Sequence, residues 1–149
     1  MRRNVLLLVS TVLAVLLASG VAYAAVIKGT PGDDESLDGT PRSDTIYGYA
    51  GVDGLRGYGA GDTLDGGRGG DLIRGMAGGD LLLAGGGRDT IFGQRGADRA
   101  NGGSGSDTIR VDQPKRDEAD SVECGYGYDN VFANRKDRVS KNCENVTIQ

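Results

Sequence analysis

Between Thr30 and Arg110 an aliphatic residue recurs at every ninth position: Leu37, Ile46, Leu55, Leu64, Ile73, Leu82, Ile91 and Ile109, with Ala100 the one weak member. Two residues before each of them stands an acid: Glu35, Asp44, Asp53, Asp62, Asp71, Asp80, Asp89, Asp98 and Asp107. The frame holds without a gap, so this stretch divides into nine-residue blocks. Gly66 to Arg74, reading Gly-Gly-Arg-Gly-Gly-Asp-Leu-Ile-Arg, is the clearest of them. Self-similarity at a fixed short period predicts a solenoid. The last three places, as in Leu72-Ile73-Arg74, form a strand too short to stand alone, its middle residue inward and its neighbours outward. Glycines at places one, two and four suit a tight turn that visits positive φ.

These blocks resemble the RTX (haemolysin-type calcium-binding repeat) family, whose pattern is GGxGxDxUx with U a large aliphatic. Gly66 to Arg74 and Gly102 to Arg110 match it fully and the other blocks match in part. The resemblance implies an all-β fold, a parallel β-roll or β-solenoid with two repeats per coil, its coils stacked at the sheet spacing of about 4.8 Å. Stacking then gathers the sixth-place carboxylates into two ladders: Asp53, Asp71, Asp89 and Asp107 on one edge, Asp44, Asp62, Asp80 and Asp98 on the other. Bare carboxylates at that spacing repel by on the order of 1 kcal/mol in water, and several times more where partly buried. A hard divalent cation between turns reverses the sign. Ca2+ accepts six to eight oxygens, so these eight aspartates, with turn carbonyls, are the expected metal ligands. One aliphatic side chain per nine ordered residues is too little burial to offset their lost freedom, so folding is expected to require calcium.

The two edges are not expected to be equal. Place four is Gly51, Gly69, Gly87 and Gly105 along the Asp53 edge, but Arg42, Ala60, Gly78 and Gly96 along the Asp44 edge. The site between Asp44 and Asp62 should be the weakest if Arg42 and Ala60 must adopt a left-handed backbone. At the array's start, strict register puts Glu35 in the ligand place, while a one-residue insertion puts Asp34 there; the sequence allows both.

The flanks read differently. Met1-Arg2-Arg3-Asn4 is a short basic start, Val5 to Ala18 is apolar apart from Ser10 and Thr11, and Ala22-Tyr23-Ala24 offers small residues at the cleavage positions. Residues 1–24 are thus expected to be a secretory signal peptide, and the apolar run is short for a membrane anchor. Residues 25–112 form the repeat array. At Val111-Asp112-Gln113-Pro114 the register breaks by four residues, and degenerate repeats follow over 113–149: Asp120 with Val122, the good block Cys124 to Phe132, Asp137 with Val139, and Glu144 with Val146. Cys124 and Cys143 lie in blocks two apart, on the same edge of neighbouring coils. In an exported chain they should pair and staple a C-terminal cap.

The formal charge is −4, and the leader region holds two arginines and no acid, so the remainder is more acidic still. That is a poor nucleic-acid binder. The chain has no histidine and no tryptophan, which removes Ser-His-Asp, Cys-His and imidazole–metal chemistry; no enzyme is expected. Places nine carry Arg56, Arg74 and Arg110 on one wall, a partial stripe able to hold an acidic polysaccharide or simply a solvated face with charges that block sheet association. The resulting expectation is a secreted, extracellular calcium-binding β-roll with a structural or adhesive role and no stable membrane insertion after signal cleavage. The alternative is an accessory module of an extracellular hydrolase or of cell-surface polysaccharide binding.

Overall fold

The computed structural model describes residues 24–112 and 118–149, which contain strands, turns and irregular chain and no helix. The expected leader therefore lies outside the described residues except for Ala24, as does Pro114. Fourteen short strands follow one another: β1 (Val26–Lys28), β2 (Leu37–Asp38), β3 (Thr45–Tyr47), β4 (Gly54–Gly59), β5 (Thr63–Arg68), β6 (Leu72–Ala77), β7 (Leu81–Gly86), β8 (Thr90–Arg95), β9 (Arg99–Ser104), β10 (Thr108–Arg110), β11 (Ser121–Tyr126), β12 (Asn130–Ala133), β13 (Arg138–Val139) and β14 (Asn145–Ile148). The odd-numbered strands pair in order as one seven-stranded sheet and the even-numbered strands as a second. Every pairing is parallel. Two blocks therefore make one coil, and the protein is a parallel β-solenoid of about seven turns.

The register repeats the sequence period. Ile46 faces Leu64, Leu64 faces Leu82, and Leu82 faces Ala100 in the odd sheet; Leu55, Ile73, Ile91 and Ile109 align likewise in the even sheet. Each strand sends this one aliphatic residue inward, and from Ile46 to Ile109 all of them but Ala100 are fully buried. The four-residue register break falls inside one turn, because Ala100 pairs with Val122 and Ile109 with Val131 beyond it. An insertion there lengthens a connection without disturbing either ladder. At the sheet edge formed by β14, Val146 occupies the inward register but stays 38% exposed.

Glycine has three separate reasons in these turns. Place four holds glycines at φ between +121° and +143°; a Cβ added to Gly69 would run into the main-chain oxygen of Gly51 in the preceding coil. Place two is also at positive φ, yet it accepts Tyr49, Tyr58, Met76 and Gln94 at φ of 71–79°, the left-handed region that costs an L-residue about 1–2 kcal/mol. Place one differs from the expectation, because it is not at positive φ. At Gly48 the reason is space, since a Cβ would lie 2.6 Å from Asp53 Oδ2, yet the same place takes Ala84 and Cys124, both fully buried. Of the two residues expected to be strained, Ala60 does sit at φ 65°, whereas Arg42 has no positive φ.

Candidate metal centre

Each turn delivers its place-six aspartate to the inner edge of the coil. Asp44, Asp53, Asp62, Asp71, Asp80, Asp89, Asp98 and Asp107 are all buried, with 0–2% of their surface exposed. They form the two expected ladders, one along each edge. The rungs are joined by direct hydrogen bonds: the main-chain N–H of Asp53 donates to Asp71 Oδ1 at 2.9 Å, Asp71 to Asp89 at 2.7 Å and Asp89 to Asp107 at 2.9 Å. The other edge repeats this from Asp44 through Asp62 and Asp80 to Asp98 at 2.8–2.9 Å. The aspartate carbonyls are also occupied, as Asp53 O accepts from Leu72 N and Asp62 O from Leu81 N, both at 2.8 Å.

An aspartate in this setting therefore uses its N–H, its carbonyl and Oδ1 in stacking, and has one polar atom left. That atom is without a protein partner in Asp53, Asp62, Asp71, Asp80, Asp89, Asp98, Asp107 and Asp129, although it is buried. A buried carboxylate oxygen left unpaired costs free energy on the scale of a lost charged hydrogen bond. Burial accordingly pushes Asp62, Asp80, Asp89, Asp98 and Asp107 up to about 6, countered by the hydrogen bond from the preceding aspartate's amide and reinforced by neighbouring carboxylates. Asp53 and Asp71 move in the same direction for the same cause.

A buried row of half-satisfied carboxylates fits a cation. The free oxygens lie beside place one, which is glycine in most turns and Ala84 or Cys124 in those of Asp89 and Asp129: Asp107 Oδ2 is 2.7 Å from where a Cβ on Gly102 would stand. The donors are carboxylate and carbonyl oxygens, which suit a hard cation. Among the described residues no three acidic, thiol or imidazole side chains converge, so side chains alone do not complete the six to eight oxygens of a Ca2+ shell.

The structure also extends the ladders beyond the eight expected residues. Asp34 takes the first rung, since its N–H donates to Asp53 Oδ1 at 2.8 Å and its carbonyl accepts from Gly54 N. Glu35 is the inserted residue, with its carbonyl packed under Gly54. Past the register break, Asp98 N donates to Asp120, Asp107 N to Asp129, Asp120 N to Asp137 and Asp129 N to Glu144. Asp129 has the same free Oδ2 as the array residues; its place-six position in the block Cys124 to Phe132 was the signal. Cys124 and Cys143 form a disulfide, with Cα atoms 5.2 Å apart.

A two-sheeted parallel solenoid that buries a row of carboxylates, each with one oxygen unpartnered through most of the array, has the make-up of a cation-binding repeat module. Comparison with known families gives that class a name: the RTX calcium-binding nonapeptide repeat matches in four copies, at residues 29–59, 38–73, 56–91 and 74–109. The matches span more than half of the chain, and the protein belongs to this family, whose repeats bind Ca2+. No curated protein and no solved structure matches the chain.

Proposed function

We propose that the protein is a secreted calcium-binding module that folds as calcium fills its turns and serves a structural or adhesive role outside the cell. The observation that carries this reading is the row of buried aspartate oxygens without protein partners. In this reading Asp53, Asp62, Asp71, Asp80, Asp89, Asp98 and Asp107 face the ions, while Asp44, the eighth expected ligand, starts its ladder with Oδ2 already met by Thr40. Residues 1–24 act as the export leader, 25–112 as the calcium array, and 113–149 as degenerate repeats and cap. A disulfide at the C-terminal end supports an oxidising destination. Within the described residues no helix is long and apolar enough to cross a membrane. The chain contains no histidine, and the repeats supply regular metal-facing carboxylates rather than an acid–base pair, which supports a role without catalysis.

Bound calcium supplies positive charge that offsets the carboxylate ladders; the chain's own residues set where it sits. Asp Oδ1 locks each coil to the one before it, and Oδ2 is left for the ion. Circular dichroism during a calcium titration tests the reading: the chain should be largely disordered in excess chelator and β-rich at millimolar calcium, the range of extracellular modules. A β spectrum unchanged by chelation would refute it.

A second reading, attachment to an acidic polysaccharide, rests on the outward face of the even sheet. There Arg56 pairs with Asp38 at 3.1 Å, Arg74 lies over Phe92, and Arg110 lies over Phe132 while pairing with Asp112 at 3.2 Å. These guanidinium groups are already engaged by neighbours, which favours the solvated-face interpretation over a polymer site.

A further inference from the structure

Among the described residues, three turns of the solenoid close on themselves. In the turn Gly39 to Asp44, Thr40 donates to Asp44 Oδ2 twice, from its N–H at 2.6 Å and from its hydroxyl at 2.8 Å. Thr30 does the same to Asp34 Oδ2, at 2.7 Å and 3.3 Å. In both turns the hydroxyl also accepts from the amide two residues on, Arg42 N at 3.3 Å and Gly32 N at 3.2 Å. At the far end Asn134 N donates to Asp137 Oδ2 at 2.7 Å, and Lys136 N to Asn134 Oδ1 at 2.9 Å. The oxygen that is free in the middle of each ladder is thus already bound by protein here.

The sequence explains the difference. Thr-Pro fills places two and three in both N-terminal turns, as Thr30-Pro31 and Thr40-Pro41. A residue before proline is held in the extended region, so Thr30 and Thr40 lack the positive φ that place two shows at Tyr49, Tyr58, Gly67, Met76, Gly85, Gln94, Gly103 and Gly125. With φ negative the threonine amide turns inward onto the carboxylate. Among the described residues, the closed form without a proline is taken by the shortened turn of Asn134 to Asp137.

These turns have a common location. Asp34 and Asp44 begin the two ladders, and Asp137 ends the Asp44 edge. The fourth corner, the end of the Asp53 edge, holds the Cys124–Cys143 disulfide, which ties the turn of Asp129 to that of Glu144. We infer that the solenoid carries metal-independent closures at all four corners, three made by side-chain and amide hydrogen bonds and one covalent, and that calcium occupies only the turns between them. Asp44 is then a structural acceptor for Thr40, not a ligand. This rests on the calcium reading above and narrows it to particular turns.

The test counts bound ions on the full chain by equilibrium dialysis with calcium. Asp44→Ala should bind as many ions as the wild type, whereas Asp71→Ala should bind fewer. A turn transplant sharpens it: Thr40→Gly, Pro41→Arg, Arg42→Gly and Ser43→Gly together give this turn the residues found from Gly67 to Gly70, and should add one ion. Loss of ions in Asp44→Ala equal to that in Asp71→Ala overturns the inference. Should Asp44→Ala fail to fold, the transplant decides alone, and no added ion overturns it. A wild type that binds no calcium would instead bring down the reading on which the inference stands, a result distinguishable from either.

Discussion

The middle of the stack and its ends are built from one repeat but satisfy their buried oxygens differently. Between Gly48 and Arg110 each coil has a fully or nearly fully buried aliphatic residue per half-turn and a carboxylate oxygen that no protein group meets. At the ends the same oxygen is met by Thr30, Thr40 or Asn134, and apolar cover thins to a Val146 that is 38% exposed. The middle has good packing and incomplete polar satisfaction; the C-terminal end has the reverse, and the Thr40 turn has both complete, with Ile46 of its block fully buried. A solenoid's stability is close to a sum over neighbouring coils, so the two parts can be strengthened or weakened almost separately.

The largest effect should come from removing apolar burial where it is complete. Ile73→Ala in the calcium-loaded protein should lower unfolding free energy by about 2–5 kcal/mol, and Val146→Ala by under about 1 kcal/mol. Urea melts of both variants in saturating calcium measure this, and equal losses would erase the distinction between middle and end.

Breaking the covalent corner should come next. Cutting a loop of this size removes on the order of 3 kcal/mol in the chain-entropy model. Cys124→Ser with Cys143→Ser should raise amide exchange in β12, β13 and β14 while leaving β5 to β8 protected; uniform loss of protection along the chain would show that the end is not separable.

Proton competition is the smallest of the three and acts on the middle. Asp62, Asp80, Asp89, Asp98 and Asp107 are raised to about 6 in the metal-free fold, above their unfolded value near 3.8. Their contribution to the metal-free fold is therefore complete below pH 3.8 and lost as pH rises through about 6. Calcium needs the ionised form, so its affinity moves the opposite way. Between pH 7 and pH 5 each such carboxylate should weaken calcium binding about tenfold, or about 1.4 kcal/mol. Calorimetric titration at the two pH values would show it, and a pH-independent affinity would contradict the assignment of these oxygens to the ion.

Much of this arrangement could be read from residue spacing. The ninth-residue rhythm of Leu55, Ile73 and Ile91 sufficed for the coil, and the acids two places earlier for the ladders, because a solenoid turns sequence period directly into spatial neighbours. The disulfide followed from the same logic applied to Cys124 and Cys143. What spacing did not show was how a single aspartate divides its oxygens. That Oδ1 binds the previous coil's amide depends on where the backbone N–H of Asp53 or Asp62 points. Place-one glycine was assigned to backbone freedom when its cause is the space beside Oδ2 at Gly48. The choice of Asp34 over Glu35 depended on which carbonyl Gly54 reaches. The Thr-Pro pairs were visible, but a turn that supplies its own donor looks, letter by letter, like a weaker copy of one that does not.

The aspartate ladder also has a direction. In each rung the amide of one coil points to the carboxylate of the next coil toward the C-terminus, from Asp34 through Asp53, Asp71, Asp89 and Asp107 to Asp129. Under a pull along the solenoid axis, a coil can leave only by surrendering its rung and its two parallel strand pairings together. Extension of the filament should thus proceed in discrete steps, each releasing an 18-residue coil that spans roughly 60 Å when drawn out. A chain held this way is a ratchet whose teeth are even through the array, 18 residues apart, and uneven beyond it, where rungs lie 22, 17 and 15 residues apart.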